Sequence, residues 1–223
     1  NAGVVPPKLM GLVPMQRGRR RGAATMARNN LISAFVHSVS IFVNILLISH
    51  HAGGPAWGME ERPHGLAKEW VKLRHEVTIA AASFSHRRSL QPDVSGPITT
   101  QACDGIKYRW YATPDYAGDN VARMRNVRSF LTAVAGDVEY LSTTPKPDVV
   151  IAASTYPHDV KVAKKIASAC DALLVVEIHA LWSLSLVALA GKSRLHPQAL
   201  LGAVAERAAY RDAHLVVSSL PKV

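Results

Sequence analysis

The 223-residue sequence predicts an α/β fold, in which helices cover both faces of a doubly wound parallel β-sheet. Three observations support this fold class: short apolar runs recur along the chain, helical segments separate them, and polar turns follow them. Runs such as residues 45–48 and 173–176 are apolar throughout, which is typical of parallel strands buried on both faces. The expected architecture is a Rossmann-like domain with three layers, α/β/α.

Six strands and four helices follow from this pattern. The predicted strands cover residues 44–49, 76–82, 106–112, 148–153, 173–178 and 214–219. The predicted helices cover residues 62–73, 121–134, 159–169 and 197–210, and a long polar loop covers residues 83–102. Right-handed crossovers between parallel strands favour the sheet order 3-2-1-4-5-6, counted along the chain.

Apolar periodicity also predicts which helix faces are buried. In the first helix Leu66, Trp70 and Leu73 share one face, and Pro63 suits the first turn. The expected apolar stripe of the second helix consists of Val121, Met124, Val127, Leu131 and Val134. Three arginines lie largely off this stripe and are expected on the outer face: Arg123, Arg125 and Arg128.

The net charge of +10 is concentrated in the first part of the chain. Residues 1–43 contain six basic residues and no acidic one, so we expect a basic, disordered leader before a domain at residues 44–223. Such a tail can bind anionic lipid or nucleic acid, but we favour a solvated leader and do not expect nucleic acid as a partner. An apolar window over residues 31–48 resembles a membrane span, yet its second half is better explained as the first strand.

Composition and motifs exclude several kinds of site. Cys103 and Cys170 are too few for a disulfide framework and fit a reducing, cytoplasmic compartment. The sequence has no Gly-x-Gly-x-x-Gly fingerprint, P-loop or Ser-His-Asp signature, and no Cys/His set with zinc spacing. We therefore predict no metal and no cofactor bound by this chain.

Two polar segments follow predicted strands at the edge where open α/β sheets bind ligands. Gly53 and Gly54 come after the first strand, and Glu177 and His179 lie at the end of the fifth. The glycines allow close backbone approach to a phosphate or sugar hydroxyl, or they serve the strand-to-helix turn alone. Both segments are candidate site elements.

Several short motifs together carry a resemblance to a known family. They occur at residues 48–55 (ISHHAGGP), 58–63 (GMEERP), 75–79 (HEVTI), 147–152 (PDVVIA), 177–182 (EIHALW) and 210–213 (YRDA). In order and spacing they resemble the N-terminal domain of a family 4 glycosyltransferase of the GT-B fold, of the type that builds lipopolysaccharide or exopolysaccharide. Ala180 departs from the family pattern, which commonly has Asp there.

The resemblance implies an enzyme that transfers a sugar from a nucleotide-sugar to a cell-envelope polysaccharide or a lipid-linked acceptor. In that family the N-terminal domain holds the acceptor and a C-terminal domain holds the donor, and transfer is usually retaining without an essential metal. Because the chain stops after the last predicted strand, we expect the donor domain to be absent and the isolated chain to be inactive. Many members act on the cytoplasmic face of a membrane, so peripheral attachment to an anionic surface is expected.

The resemblance also suggests roles for individual residues. It implies that His179 is catalytic, through a hydrogen bond to a donor hydroxyl or stabilisation of developing charge. Substrate-binding roles are implied for Gly53, Gly54, Glu60, Arg62 and Glu177. From the residues alone, the acids after the glycine loop are equally explained by the electrostatics of a helix N-terminus, and Glu177 by a structural ion pair.

Basic clusters are candidates for contacts with phosphate or lipid. Arg87 and Arg88, beside His86 in the long loop, are placed to meet a pyrophosphate, although a solvated loop explains them as well. Arg123, Arg125 and Arg128 are candidates for contact with anionic headgroups, and charged residues are also ordinary on an outer helix face.

Two other functions remain open at this stage. One is a non-catalytic basic module that uses the leader and the arginine-rich helix to bind an anionic membrane or nucleic acid. The other is a sugar-nucleotide epimerase of the same two-domain architecture, which the segment at residues 177–182 does not support.

Overall fold

A computed structural model describes residues 42–58, 61–118, 121–179, 193 and 196–218. Its strands are β1 Asn44–Ile48, β2 Glu76–Ala82, β3 Ile98–Cys103, β4 Ile106–Tyr111, β5 Val149–Ala152, β6 Leu173–Ile178 and β7 Leu215–Ser218. Its helices are α1 Glu61–Lys72, α2 Val121–Gly136, α3 Val138–Thr143, α4 Asp159–Cys170 and α5 Pro197–Asp212.

The strands form one sheet in the order β3-β4-β2-β1-β5-β6-β7. All neighbouring pairs are parallel except β3 and β4, which are antiparallel. The predicted order of six parallel strands is confirmed, because it corresponds to β4-β2-β1-β5-β6-β7. The sheet therefore has the α/β, Rossmann-like architecture expected from the sequence.

Apolar side chains of the strands alternate between two buried clusters, one on each face of the sheet. Leu46 and Ile48 of β1 pack in the cluster that α2, α4 and α5 cover. Ile45 and Leu47 point to the opposite face, into the cluster shared with α1 and three buried aromatic residues: Trp57, Tyr108 and Trp110. Burial on both faces explains why the sequences of β1, β5 and β6 are almost entirely apolar.

The prediction of a loop over residues 83–102 is wrong at its end, because β3 occupies part of it. Asp104 and Gly105 form the two-residue turn between β3 and β4, and their φ angles are 52° and 78°. Two consecutive positive φ angles are typical of a hairpin turn that favours Asp-Gly. This dipeptide was the local signal for the additional strand, and the short helix α3 also had not been predicted.

The predicted buried faces of two helices also need correction. On α2 Val134 is buried as predicted, but Val121 is 80% exposed and Met124 62% exposed, whereas Asn126 and Phe130 are buried. The face is rotated toward Asn126, whose side chain bonds to the buried ring of His50. On α1 Trp70 packs against the core as predicted, but Pro63, His64 and Ala67 are more deeply buried, and Leu73 lies beyond the end of the helix and is 64% exposed.

Among the helices that the structure describes, none is both long and apolar enough to span a membrane. Residues 1–41, which include most of the predicted leader and the first part of the apolar window, lie outside the described residues. The second part of that window forms β1, as predicted.

Candidate functional site

The carboxyl ends of β1, β2, β5 and β6 lie on the same edge of the sheet, and the loops that follow them form the candidate site. A cleft at this edge is lined by the loop after β5, the end of β6 and one face of α5. The cleft contains about 360 Å³ of unfilled space, part of which is open to solvent. Its polar lining residues include Tyr156, Asp159, Glu177, His179 and Glu206.

Three of the predicted site residues come together at the carboxyl end of β6, and two of them, Glu177 and His179, line this cleft. Glu177 is on the same face of β6 as Val175, the face that α1 covers, so Arg62 from the first turn of α1 can reach it. The Arg62 guanidinium lies 2.6 and 2.8 Å from Oε1 of Glu177. Oε2 of the same carboxylate lies 3.7 Å from Nε2 of His179. Residues distant in sequence therefore form one charged group.

The backbone determines which nitrogen of His179 carries the proton. Nε2 lies 3.0 Å from the carbonyl oxygen of Ala153, which can only accept a hydrogen bond. The neutral ring therefore has its proton on Nε2 and a lone pair on Nδ1, and no described residue bonds to Nδ1. His179 can thus accept a hydrogen bond, or a proton, from a hydroxyl group through Nδ1.

Behind the cleft, the carboxyl end of β1 carries two buried histidines. His50 Nε2 lies 2.6 Å from Oδ1 of Asn126, and Nδ2 of the same amide donates to the carbonyl of Pro114 at 2.7 Å. Because that carbonyl only accepts, the amide orientation is determined and Nε2 of His50 must be the donor. His51 Nδ1 lies 2.9 Å from the hydroxyl of Ser85.

Burial keeps both imidazoles neutral. It lowers the pKa of His50 to about 3, although the hydrogen bond to Asn126 acts in the opposite direction. Burial also lowers the pKa of His51 far below its ordinary value, and the positive charge of Arg87 lowers it further. No described residue bonds to Nδ1 of His50 or to Nε2 of His51, and both atoms are shielded from the solvent.

Burial has the opposite effect on an acid in the loop after β5. Asp159 is the first residue of α4, and one of its carboxyl oxygens accepts a hydrogen bond from the backbone of Ser154 at 2.9 Å. Burial raises the pKa of Asp159 to about 7, even though this bond and others from the backbone favour the ionised form. The site therefore contains a carboxyl group that titrates near neutral pH.

The sequence profile of a family described as a glycosyl transferase 4-like domain matches residues 58–223, most of the chain. The chain belongs to this family. No curated protein matches it significantly. Arg62, Glu177 and His179 lie inside the matched range of this glycosyl transferase 4-like domain, whereas Gly53 and Gly54 precede it.

In this glycosyl transferase 4-like domain the glycine loop is packed tightly against the core. Gly53 and Gly54 are both buried, and a Cβ at Gly54 would lie 2.8 Å from Nδ1 of His64. The loop is also closed by hydrogen bonds from the backbone of Trp57 and Gly58 to the carbonyl of Gly54, both at 2.9 Å. These contacts favour the structural explanation of the glycines, and a substrate contact stays a prediction.

The two arginines of the loop after β2 have different environments. Arg88 is only 4% exposed, and its guanidinium donates to the carbonyls of Ala52, Ala82 and Ser83 at 2.7 to 2.9 Å. Burial lowers the pKa of Arg88 to about 10, so it remains charged at neutral pH. This geometry favours a structural role for Arg88, while Arg87 is half-buried near His51.

The arginines of α2 do not all point the same way. Arg125 and Arg128 are exposed, as predicted for an outer face. Arg123 is half-buried, and its positive charge contributes to the lowered pKa of His50 and His51. Contacts with phosphate or lipid stay predictions for all three.

Two further expectations complete the comparison with the sequence. Glu60, a predicted substrate-binding residue, and Ala180 lie outside the described residues. Within the described part of the chain, no group of His, Cys, Asp and Glu is arranged to hold a metal ion.

Sequence reasoning did not find the buried residues that support the site, Asn126 and Tyr156 among them. Asn126 was one polar residue in an amphipathic helix, and nothing in the local pattern marked it as buried. The paired His50 and His51 directly after an apolar strand were the available signal, since buried imidazoles need hydrogen-bond partners.

Proposed function

We propose that this domain is the acceptor-binding half of a glycosyltransferase that moves a sugar from a nucleotide-sugar to a lipid-linked or polysaccharide acceptor of the cell envelope. The observation that carries the proposal is the group formed by Arg62, Glu177 and His179 at the carboxyl end of β6, where Glu177 and His179 line the cleft. Family membership makes sugar transfer the relevant chemistry, and the group provides the contacts that a sugar needs.

Each member of the group has a distinct task in this proposal. Nδ1 of His179 accepts a hydrogen bond from a sugar hydroxyl, because its other nitrogen donates to the backbone. The side chain of Arg62 is 46% exposed, so it can bind a phosphate or hydroxyl while Glu177 holds it in place. Glu177 is only 5% exposed, so its buried carboxylate is the member that positions the other two.

Binding measurements with defined probes test this proposal. In a ¹⁵N-labelled chain, a prenyl-diphosphate-linked N-acetylglucosamine with a short lipid should shift the amide resonances of Arg62, Glu177 and His179. His179→Ala should weaken binding about fivefold, as expected for the loss of one hydrogen bond of about 1 kcal/mol. His75→Ala is the control, because His75 lies at the amino end of β2, the opposite edge of the sheet. No binding of this probe, or equal binding by both variants, would contradict the proposal.

The proposal includes attachment to an anionic membrane surface through α2. Val121 and Met124 are exposed apolar residues, and Arg125 and Arg128 are exposed on the same helix. The four occupy positions i, i+3, i+4 and i+7, so they share one face. A surface that combines apolar and basic side chains suits the headgroup region of an anionic bilayer, where a lipid-linked acceptor is found.

Sedimentation with vesicles tests this attachment. The chain should bind phosphatidylglycerol vesicles more strongly than phosphatidylcholine vesicles, and salt should weaken the binding. Replacing Arg125 and Arg128 with Gln should weaken it about 30-fold, at about 1 kcal/mol for each charge. Leu73→Ser, an exposed apolar residue at the end of α1, is the control for Met124→Ser. Equal effects of these two serine variants would remove α2 from the proposal.

A further inference from the structure

A chain of hydrogen bonds runs beneath the glycine loop, outside the cleft. Oδ2 of Asp104 lies 3.2 Å from Nε2 of His64, and Nδ1 of His64 lies 2.8 Å from the hydroxyl of Tyr108. That hydroxyl also lies 2.8 Å from the carbonyl oxygen of Gly53. His64 is 4% exposed and Tyr108 is fully buried. The chain therefore connects the turn between β3 and β4 to the loop that leads from β1 into α1.

The glycine loop, which contains Gly53 and Gly54, packs directly against these hydrogen-bonded side chains. A Cβ at Gly54 would lie 2.8 Å from Nδ1 of His64 and 3.2 Å from the Tyr108 hydroxyl, both closer than ordinary contacts allow. Only a residue without a side chain fits here, so any change in the contact between the imidazole and the phenol acts on the loop backbone.

Counting the protons that these groups share shows that the hydrogen bonds between them depend on the charge of His64. Hydrogen bonds from Lys68 and His64 hold the pKa of Asp104 below its ordinary value, so this group is a carboxylate that only accepts. Nε2 of His64 must therefore carry a proton. Burial raises the pKa of Tyr108 well above its ordinary value, so the phenol keeps its single proton.

Two states follow from this count. When His64 is an imidazolium, Nδ1 donates to the Tyr108 oxygen, and the Tyr108 hydroxyl donates to the Gly53 carbonyl, so every group is paired. When Nδ1 loses its proton to solvent, it becomes an acceptor that competes with Gly53 for the one phenolic proton. The other neutral tautomer would place a lone pair against the Asp104 carboxylate, which repels it.

We propose that His64 is a positioning residue that holds the glycine loop in place through Tyr108 when it is protonated and releases the Gly53 carbonyl when it is neutral. The charged and titratable groups around it are Asp104 on the β3–β4 turn and Lys68 one turn along α1. Cys103, the last residue of β3, acts on Tyr108. Arg88, from the loop after β2, acts on Tyr108 from the other side. Any effect of this coupling on substrate binding rests on the proposed function, but the coupling between His64 and the Gly53 carbonyl does not.

Nuclear magnetic resonance of the full chain tests the coupling without any substrate. The ring nitrogens of His64 and the backbone amide of Gly54, which shares a peptide group with the Gly53 carbonyl, are followed from about pH 5 to about pH 9, the range that spans histidine titration. In the natural chain the Gly54 amide should shift with the same midpoint as the His64 ring. In Tyr108→Phe the Gly54 amide should lose the shift that follows the His64 ring.

Controls make the result specific. Tyr111→Phe removes another buried hydroxyl from the same strand, one that donates to Asp137 at 2.7 Å, and it should leave the coupling intact. His64→Gln should give a Gly54 amide with no shift at this midpoint. Different midpoints for the two groups in the natural chain, or a Gly54 shift that still follows His64 in Tyr108→Phe, would overturn the inference. Because no probe of the cleft is used, failure here is distinct from failure of the glycosyltransferase proposal.

Discussion

The buried amide of Asn126 provides a quantitative test of how the site is built. Its side chain is fully buried and bridges the ring of His50 and the carbonyl of Pro114, with distances of 2.6 and 2.7 Å. Asn126→Ala removes both bonds at once. The imidazole N–H of the fully buried His50 is then left without a partner in the core, whereas Pro114 is exposed and its carbonyl can bond to water.

The expected cost follows from this one orphaned group. A buried polar group that loses its partner costs about 1–3 kcal/mol, so the loss is about 2 kcal/mol in the middle of the range. For a domain of this size, such a loss lowers the melting temperature by about 6 °C, at about 2–4 °C per kcal/mol.

Urea unfolding, followed by the fluorescence of the buried Trp57 and Trp110, measures this loss. Thr132→Ala is the matched control, because Thr132 is exposed on the same helix and its replacement should change the free energy of unfolding by less than about 0.5 kcal/mol. A loss below about 1 kcal/mol for Asn126→Ala, with an unchanged dependence on urea, would refute the reasoning.

Three further predictions concern stability and use the same unfolding assay. Gly54→Ala should cost about 1–3 kcal/mol because its Cβ would lie 2.8 Å from a histidine nitrogen. Gly65→Ala meets nothing within 4 Å and should stabilise α1 by about 0.5–1 kcal/mol. Equal effects of the two substitutions would contradict this prediction. Burial raises the pKa of Asp159 to about 7, so the folded state holds that proton more tightly than the unfolded state, and this group lowers stability as pH rises from about 4 to about 7. Asp159→Asn should remove that decline, and an unchanged pH profile would argue against it. Arg88→Met should cost about 3 kcal/mol or more, because three carbonyls lose the guanidinium that donates to them. Arg207 is exposed, so Arg207→Met should change the free energy of unfolding by less than about 0.5 kcal/mol. Similar losses for the two variants would disprove the structural role of Arg88.

Local pattern was sufficient for the strands and their order. The apolar runs predicted as strands at residues 44–49, 76–82, 148–153 and 173–178 all contain a strand, because short apolar runs between helices suit burial on both faces of a parallel sheet. The hairpin that adds β3 could also have been read from Asp104 and Gly105, whose side chains suit positive φ angles.

Helix faces were predicted less well, for a physical reason. Periodicity assigns burial from hydrophobicity alone, but Asn126 is buried since its amide bonds to groups on other elements, and this rotates α2 so that Val121 and Met124 face outward. Such partners are contributed by distant parts of the chain and leave no mark in the helix's own sequence.

The sequence by itself determined the fold class, the strand order, the family resemblance and the identity of Arg62, Glu177 and His179 as candidates, because these depend on local pattern and on motifs in order. Only the tertiary structure decided that these three residues meet, that Nδ1 of His179 carries the lone pair, and that Arg88 is held by backbone carbonyls. The reason is that hydrogen bonds and burial depend on which atoms the fold brings within about 3 Å of each other, and residues 115 positions apart can do so only after the sheet has formed.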